Sequence, residues 1–312
     1  MGTPSAAKAV TIGIPTYNRA DKLAGALASA IGQQHASVQV VVADNASDDH
    51  TGDVYGEYAR SHSNVEVFRH RENVGAIANF MSVLDHAQTK YFMWLADDDW
   101  IDPGYVAACV DCLESEPDVA LAYGVARYYR GESFVFAGSQ GELCAKSPLR
   151  RLLRYFLTVK DNAVFYGVYR REALIGVKFG EGFAADWLLV SQVLAQGKAK
   201  QVSKALIHRR LGGVSASTLQ LAKQTEKIGL AKKFPFLAVG VRLLRMLLKE
   251  PAFTLNLSLK TRLVAMPLLF LCLLVRGAMD TTGHLLQATS KRFPETADFV
   301  KQKIANKRQS SR

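Results

Sequence analysis

The chain has 312 residues, of which 49% are hydrophobic and 21% are charged. This length allows one large domain with an appendage, and the hydrophobic content excludes an intrinsically disordered chain. The formal net charge of +11 is uneven, because residues 222–312 hold 17 Lys and Arg against 5 Asp and Glu. The basic character therefore belongs to the C-terminal part and says nothing about the chemistry of residues 1–221.

The cysteines and the N-terminal residues indicate the cell compartment in which the protein is expected. Four cysteines are too few for a disulfide scaffold. Cys109 and Cys112 form a C-x-x-C pair in an apolar, helix-like run with no second Cys or His pair nearby, so we expect buried thiols rather than a metal site. No apolar signal segment precedes Val10, which predicts a cytoplasmic protein.

Short apolar runs alternate with helical patterns in the N-terminal third of the chain. Runs at 10–14, 38–43, 65–69 and 91–96 predict four strands, and a helical pattern follows each of the first three. This alternation predicts βαβ units and a parallel sheet, so the fold class is α/β.

Polar residues follow all four predicted strands. They are Thr16–Arg19, Asp44–Asp49, Arg71–Gly75 and Asp97–Asp99. Ligands of parallel α/β sheets bind beyond the carboxyl ends of the strands, so we expect these clusters to form one site.

The three consecutive carboxylates Asp97–Asp99, called the acidic tip below, repel one another unless a cation neutralises them. Their hard oxygen atoms suit Mg²⁺ or Mn²⁺, ions that commonly hold a phosphate-bearing substrate. The acidic tip therefore predicts a metal site, and the alternative is a solvated acidic turn.

Four stretches in this order carry a family resemblance. They are VTIGIPTYNRADKL (10–23), VVVADNASDD (40–49), RENVGAIANF (71–80) and YFMWLADDDWIDP (91–103). With them the chain resembles a family 2 glycosyltransferase of the GT-A type from residue 10 to 103, and more weakly to about 215. The resemblance implies a Rossmann-like, mostly parallel sheet flanked by helices and built around a nucleotide-sugar site.

The resemblance also implies that the strand ends bind the nucleotide-sugar donor. The residues concerned are Pro15, Thr16, Tyr17, Arg19, Asp44, Arg71, Asn73, Gly75, Asn79 and Asp97. A carboxylate such as Asp44 accepts a hydrogen bond from the base, and Tyr17 offers a face for stacking. The alternative for Asp44 is a capping or turn role. Gly75 lets the backbone approach the ligand, and the helix after it directs free N–H groups towards phosphate or sugar hydroxyls.

At the acidic tip the resemblance implies a divalent metal, Mg²⁺ or Mn²⁺, that neutralises the leaving nucleoside diphosphate. The family often has Leu-Asp-x-Asp-Asp, but this chain has Ala96 at the first acid. On that alignment Asp98 is the best metal ligand and Asp97 lies near the ribose or sugar. Asp99 either supports the metal site from outside the ligand shell or is an alternative ligand.

A later stretch, LIHRRLGGVSAS (206–217), resembles the segment that closes over the diphosphate. His208 is a candidate to complete the metal shell, and the alternative is ordinary polar packing. Arg209 and Arg210 are alternative contacts to phosphate.

An inverting transferase also needs a base that takes the proton of the acceptor hydroxyl. The resemblance assigns this role to Asp186, in GEGFAADWLLVSQVLAQGK (180–198), where the family often has an acid pair before Trp187. Here the first acid of the pair is replaced by Ala185. A helix N-cap is the alternative role for Asp186, and Glu181 is a weaker alternative base.

We expect a catalytic domain over 1–221, with a donor half at 10–103 and an acceptor half at 104–221. A basic, amphipathic helical region then follows over 222–312. Its basic residues alternate with aliphatic stretches rather than stacking aromatics, which argues against nucleic acid as a partner.

Two segments of the basic region point to a membrane. Residues 234–249 have an amphipathic helical arrangement, and 263–275 are apolar throughout and flanked by Arg262 and Arg276. These thirteen apolar residues are short of the about 20 that a spanning helix needs. We therefore expect a segment in or on an anionic membrane, with a buried helix as the alternative, and a disordered basic tail at 301–312.

The sequence thus predicts a metal-dependent, inverting glycosyltransferase with a nucleotide-sugar donor and a glycan or lipid-linked acceptor. The family implies polysaccharide synthesis at the inner face of the cell membrane. One alternative is a sugar nucleotidyltransferase, although Pro15–Asn18 stand where a Gly-rich phosphate loop is expected. Another is an inactive membrane-bound scaffold, because the acids expected at Ala96 and Ala185 are missing.

Overall fold

The structure is a computed structural model that describes residues 9–292 apart from 36, 139–141, 160–161, 212–221, 223–224 and 227–228. Within these residues nine strands form one sheet. The strands are β1 (Val10–Thr16), β2 (Val38–Asp44), β3 (Val65–Arg69), β4 (Tyr91–Trp94), β5 (Trp100–Ile101), β6 (Val119–Arg130), β7 (Ser133–Ala137), β8 (Val168–Arg170) and β9 (Lys198–Arg210).

Helices cover both faces of the sheet. They are α1 (Ala20–Ile31), α2 (Thr51–Ser61), α3 (Ala76–Asp85), α4 (Tyr105–Ser115), α5 (Pro148–Thr158), α6 (Ala185–Gln196), α7 (Gly229–Lys233), α8 (Pro235–Lys249), α9 (Pro251–Thr254) and α10 (Leu259–Arg292). Short 3₁₀ helices cover Ala163–Tyr166 and Arg171–Leu174. The predicted α/β fold class is confirmed.

The first four strands form the parallel half of the sheet, in the order β3, β2, β1, β4. β1 and β2 continue further than predicted, to Thr16 and Asp44, which face each other in register. β4 pairs with β1 only as far as Gly13. Pro15 therefore lies beyond the end of this pairing, where the backbone N–H that proline lacks is not needed for a hydrogen bond to β4. The carboxyl ends of β1, β2 and β4 therefore meet at one edge of the sheet.

The second half of the sheet is mixed. β8 is antiparallel to both β4 and β6, whereas β6 and β9 are parallel. β5 and β7 add antiparallel pairs to β9 and β6. The mostly parallel arrangement thus applies to the N-terminal half, and the antiparallel pair β5–β9 brings His208 into register with Trp100, next to the acidic tip.

The C-terminal helices share the core of the sheet. Phe236 and Leu243 of α8 and Leu269 of α10 are buried in the same cluster as Tyr155 of α5 and Trp187 of α6. Within the described residues, the segment after 221 thus has no core of its own, and the boundary at 221 stays a prediction. The predicted tail at 301–312 and the end of the 206–217 stretch lie outside the described residues.

Helix α10 corrects one expectation of length. The helix has 34 residues, and its apolar part covers Leu259–Met279, which is 21 residues and long enough to cross a membrane. The sequence pattern underestimated this length because Lys260, Arg262 and Arg276 interrupt or bound the apolar run without ending the helix.

Gly124 allows the close approach of β6 to β9. A Cβ atom added there would lie 2.4 Å from the Ala205 carbonyl oxygen and 2.5 Å from the Tyr105 ring. We expect Gly124→Ala to lower the free energy of unfolding by about 1–3 kcal/mol in urea titrations, because both neighbours are buried. Gly25→Ala is the control: nothing lies within 4 Å of its added Cβ in α1, so a gain of about 0.5–1 kcal/mol is expected. Equal effects of the two substitutions would contradict this packing.

Candidate active site

The carboxylate of Asp44 is fully buried at the end of β2. Its Oδ1 accepts hydrogen bonds from the Ser47 backbone N–H at 3.0 Å and the Ser47 hydroxyl at 2.5 Å. Its Oδ2 accepts a hydrogen bond from the Tyr55 hydroxyl at 3.1 Å and lies 3.4 Å from Arg69 Nη1. Asp44 therefore has the turn role in this structure, and its contact with a nucleotide base stays a prediction that requires one of these partners to move.

The loop after β1 is fixed by Asn18. Its Nδ2 donates to Asp48 Oδ1 at 2.7 Å, and its Oδ1 accepts from the Asp48 backbone N–H at 3.0 Å. Pro15 and Thr16 are buried beneath this loop, whereas the Tyr17 side chain is 43% exposed. Tyr17 is therefore the member of the predicted base pocket that has a ring face available for stacking.

The loop before α3 is held by an amide pair. Asn73 Oδ1 accepts hydrogen bonds from Asn45 Nδ2 and from the Gly75 backbone N–H, both at 2.9 Å. Gly75 has a φ of 86°, a backbone conformation that favours glycine. Arg71 and Gly75 are exposed, so this loop leaves the N-terminus of α3 and a cation accessible to an anionic ligand.

Asn79 has a structural role that the resemblance did not indicate. The side chain is buried, and its Nδ2 donates to the carbonyl oxygens of Thr16 at 3.2 Å and Ala43 at 3.1 Å. Both donor hydrogens are thus used to hold the ends of β1 and β2. Asn79 Oδ1 has no hydrogen-bond partner among the described residues, so the contact of Asn79 with the donor stays a prediction beside its role at the strand ends.

Asp97 is the first carboxylate of the acidic tip and is largely buried. One of its oxygens lies 3.7 Å from Arg19 Nε. Burial raises the pKa of Asp97 from 3.8 to about 6, and the charge of Asp98 adds to this effect, while Thr16 and Arg19 oppose it. Arg19 and Asp97 therefore form an ion pair beside the β1 loop, and their contacts with the donor stay predictions.

Asp99 is engaged by β9. Its Oδ2 accepts from Arg209 Nε at 2.9 Å, and its Oδ1 accepts from the Arg210 backbone N–H at 3.2 Å. The side chain is 3% exposed, and burial raises the pKa of Asp99 against the opposing charge of Arg209. Both oxygens already have partners, so Asp99 anchors Arg209 in this structure, and its role as a metal ligand stays a prediction.

His208 is also engaged within the protein. Its imidazole stacks on the Trp100 ring at a centroid distance of 5.1 Å. Nε2 lies 2.7 Å from Asp102 Oδ1, and Nδ1 lies 3.0 Å from the Tyr129 hydroxyl. Both ring nitrogens have partners, which favours the packing alternative for His208, and its place in the metal shell stays a prediction that requires Nε2 or Nδ1 to change partner.

Asp98 is the remaining carboxylate. Among the described residues it has no hydrogen bond or ion pair, and its side chain is partly exposed. No group of three or more His, Cys, Asp or Glu side chains capable of holding a metal occurs in that part of the chain. A single free carboxylate still fits Mg²⁺ or Mn²⁺, because such ions are often held by one or two carboxylates together with substrate phosphates and water.

A second wall of the site surrounds Tyr166. The Arg209 guanidinium lies 4.5 Å from the centroid of the Tyr166 ring. Burial raises the pKa of the Tyr166 hydroxyl, on which the charges of Arg209, Asp99, Asp186 and Asp98 also act. Arg209 thus binds Asp99 of the acidic tip and lies over Tyr166, which ends the short 3₁₀ helix that follows Asn162, the partner of Asp186. That the acidic tip and Asp186 form one site stays a prediction.

Asp186 lies in the first turn of α6, and it is not the N-cap, which is Ala184. Its Oδ2 accepts from Asn162 Nδ2 at 2.8 Å, and Asn162 Oδ1 in turn accepts from the Tyr155 hydroxyl at 2.6 Å. Burial raises the pKa of Asp186. Glu181, the weaker alternative, is exposed on the preceding loop. Asp186 is thus an oriented carboxylate whose affinity for a proton is increased.

Asn162 and Tyr166 have positions in the site that the sequence reasoning did not identify. Asn162 has a φ of 47°, in the left-handed region that asparagine tolerates better than most residues. An asparagine before a short aromatic run is a weak sequence signal for a residue in this conformation. Nothing in the sequence shows that the amide of Asn162 reaches the carboxylate of Asp186, 24 positions away.

The raised pKa of Asp97 makes stability depend on pH. Because folding raises this pKa from 3.8 to about 6, the folded state binds more protons in that interval, and stability falls as pH rises through it. We expect Asp97→Asn to remove this fall and to raise the free energy of unfolding at neutral pH by up to about 3 kcal/mol. Urea titrations across this pH interval measure the effect. Asp53→Asn, at an exposed position, should retain the fall, and an unchanged slope in Asp97→Asn would contradict the assignment.

Two solved structures with a similar fold contain a uridine nucleotide. Staphylococcus aureus TarS (residues 1–349), solved with UDP-GlcNAc, has a TM-score of 0.54 at 16% identity, covering 82% of this chain and 79% of that chain. GalNAc-T7, solved with UDP, GalNAc and Mn²⁺, has a TM-score of 0.50 at 14% identity, covering 65% of this chain and 44% of that chain. These likenesses identify the fold as GT-A.

Relatives with a similar sequence match a shorter part of this chain than the solved structures do. An uncharacterized Mycobacterium tuberculosis protein is 32% identical over 113 residues, which cover 35% of this chain and 32% of the relative. Glycosyltransferase GlyA of Streptococcus pneumoniae is 27% identical over 113 residues, covering 36% of this chain and 16% of GlyA. The matches thus span a third or less of these relatives. The sequence profile of glycosyl transferase family 2 matches residues 11–177, more than half of the chain, and the chain belongs to that family.

Proposed function

We propose that the protein is an inverting, metal-dependent glycosyltransferase. It moves a sugar from a nucleoside-diphosphate donor to a hydroxyl of a glycan or lipid-linked acceptor, in the synthesis of a cell-surface polysaccharide. The observation that carries the proposal is the position of Arg209, which binds Asp99 next to Asp98 and lies over Tyr166, in the short 3₁₀ helix that follows Asn162, the partner of Asp186. Asp98 suits the metal ion that would neutralise the leaving diphosphate, and Asp186 suits the proton of the attacking hydroxyl.

The donor half of the site comes from the parallel strand ends. Tyr17 stacks on the base above the buried Pro15 and Thr16, and Arg71 and the N-terminus of α3 face the diphosphate. The solved complexes of TarS with UDP-GlcNAc and of GalNAc-T7 with UDP and GalNAc support a donor of this chemical class. Asp97 lies beside Arg19 and is the candidate contact to the ribose or sugar.

Asp98 is the residue that would hold Mg²⁺ or Mn²⁺, with donor phosphates completing the ligand set. When bound, the ion supplies positive charge that stabilises the leaving nucleoside diphosphate. Arg209 is a permanent cation at the same corner, but Asp99 already neutralises it. Arg71 is then the only cation proposed above to face the diphosphate, and a divalent ion at Asp98 would supply the further positive charge, which supports the metal requirement. The Mn²⁺ in GalNAc-T7 is consistent with it.

Asp186 acts as the general base. Its carboxylate takes the proton of the acceptor hydroxyl while the oxygen attacks the anomeric carbon and the bond from that carbon to the phosphate oxygen breaks. One displacement of this kind inverts the anomeric configuration and releases nucleoside diphosphate. Asn162 keeps the carboxylate in one rotamer, and burial raises the pKa of Asp186 towards that of an effective base.

The acceptor and the location complete the proposal. TuaG of Bacillus subtilis, 29% identical over 92 residues, is assigned by its name to teichuronic acid biosynthesis, which supports a cell-surface polysaccharide as the product. The exposed apolar residues and the cations of α10 support a cytoplasmic protein bound to the anionic inner face of the membrane.

Release of nucleoside diphosphate tests the function. UDP-, GDP- and dTDP-sugars are incubated with the protein and Mn²⁺, and we expect diphosphate release from at least one donor. Asp186→Asn should lower kcat by about 10²–10⁴-fold, because it removes the general base. Glu181→Gln is the matched control and should retain activity.

Two outcomes support the alternatives instead. Release of pyrophosphate from a nucleoside triphosphate and a sugar phosphate would identify a nucleotidyltransferase. The absence of both turnover and donor binding would identify an inactive scaffold. Full activity of Asp186→Asn would contradict the assignment of the base.

A further inference from the structure

Helix α10 has two apolar faces with different surroundings. Ala265, Leu269 and Leu273 are fully buried against the rest of the fold. The opposite face is exposed and contains Leu259, Leu263, Val264, Leu268, Leu271, Leu274, Val275 and Met279. We call these eight residues the apolar strip. They recur at helical spacing over about 30 Å, which is the length of 20 residues at 1.5 Å rise each.

Close contacts fix the buried face along the same length. A Cβ added at Gly240 of α8 would lie 2.7 Å from the Phe270 ring, and one added at Gly277 would lie 3.0 Å from the Phe236 ring. Arg262 Nη1 also donates to the Leu247 carbonyl oxygen at 3.1 Å, at the end of α8. The helix is thus part of the catalytic core, and it cannot be surrounded by lipid without taking that core apart.

The charges around the apolar strip select its partner. No carboxylate occurs in α10 from Leu259 to Met279, and Lys260 is exposed at the start of the apolar strip. A second copy of the chain that paired in parallel through this strip would bring the two Lys260 side chains together. Anionic lipid headgroups complement Lys260 instead.

We propose that the apolar strip lies in the plane of an anionic membrane and enters one leaflet from the side, without crossing it. This deepens the membrane location proposed above and does not depend on the transferase chemistry. The buried face keeps the catalytic domain attached at the lipid surface, which is where a lipid-linked acceptor is available.

Vesicle co-sedimentation of the full chain tests the docking. We expect binding to vesicles of phosphatidylcholine and phosphatidylglycerol, weaker binding to phosphatidylcholine alone, and weakening by salt. The double variant Leu268→Glu, Leu271→Glu should lose at least about tenfold in affinity, because two charges enter the leaflet. Ile175→Glu is the control, at an apolar residue that is 71% exposed outside the strip.

Three results would overturn the proposal. Vesicle binding that is unaffected by the double variant would remove the strip from the interface. Resistance to extraction with alkaline carbonate would show a spanning helix. Self-association without lipid that the double variant abolishes, in the absence of vesicle binding, would show a protein partner. Diphosphate release without vesicles, measured on the same variants, should be unchanged and reports separately on the transferase assignment.

A different observation links α8 to the candidate base. Arg242 of α8 forms an ion pair with the buried Glu226, and its Nη1 donates to the Phe183 carbonyl oxygen at 2.9 Å. Glu226 Oε1 accepts from the Phe183 backbone N–H, also at 2.9 Å. Both backbone groups of Phe183 are therefore held by one ion pair, three residues before Asp186.

The backbone there needs such support. Gly182 and Ala184, on either side of Phe183, both have left-handed φ angles, 79° and 59°. The left-handed conformation of Ala184 is unfavourable for an alanine. We propose that Arg242 and Glu226 are positioning residues for Asp186, which they hold through the Phe183 backbone. This inference rests on the proposed role of Asp186.

Kinetics of Arg242→Gln test the positioning. We expect kcat to fall at least about tenfold with the donor KM unchanged, because the base moves while the donor half stays intact. Arg242→Lys should restore part of kcat. Arg151→Gln is the control, since Arg151 also holds backbone carbonyls, those of Leu194 and Ala195, at the far end of α6.

Thermal unfolding of each variant separates positioning from stability. Arg242→Gln and Arg151→Gln should both lower Tm, and only the first should lower kcat. Equal kcat values for the two variants, at temperatures where both are folded, would overturn the positioning role. A wild-type protein without turnover would instead contradict the proposed function.

Discussion

The need to neutralise three adjacent carboxylates constrains the whole site. Asp97 is largely buried and Asp99 is buried, and an unpaired charge is unfavourable in such surroundings. The fold places a different arginine beside each: Arg19 from the β1 loop at Asp97, and Arg209 from β9 at Asp99. Asp98 between them receives no partner among the described residues. Asp98 thus keeps a negative charge that can hold a metal ion, and the ion can in turn hold a diphosphate.

The same pairing explains how the two halves of the sheet form one site. Arg209 reaches Asp99 because β5 and β9 pair in antiparallel register, and it also lies over Tyr166, near Asp186. The Arg209 side chain therefore contacts both the acidic tip and Tyr166. The C-terminal helices extend this arrangement, since α8 holds the backbone that leads into α6.

The sequence was sufficient for features that depend on local patterns. Parallel strands and polar strand ends were predictable, because β-branched runs and their flanking turns are local, and the meeting of Asp44, the β1 loop and the acidic tip follows from sheet geometry. Features that depend on distant partners were not predictable. The partners of Asp99 and His208 could not be read from the sequence, since Arg209 lies 110 positions from Asp99. The burial of one face of α10 likewise depends on packing that a uniformly apolar sequence does not reveal.

The central claim is that Asp98 alone at the acidic tip serves a metal-held diphosphate. Calorimetric titration of the wild type and Asp98→Asn with UDP, GDP and dTDP, each with and without Mn²⁺, tests it most directly. The account predicts that the wild type binds one of these diphosphates at least about tenfold more tightly with Mn²⁺, and that Asp98→Asn loses this difference while remaining folded. An equal Mn²⁺ effect in both proteins would contradict it.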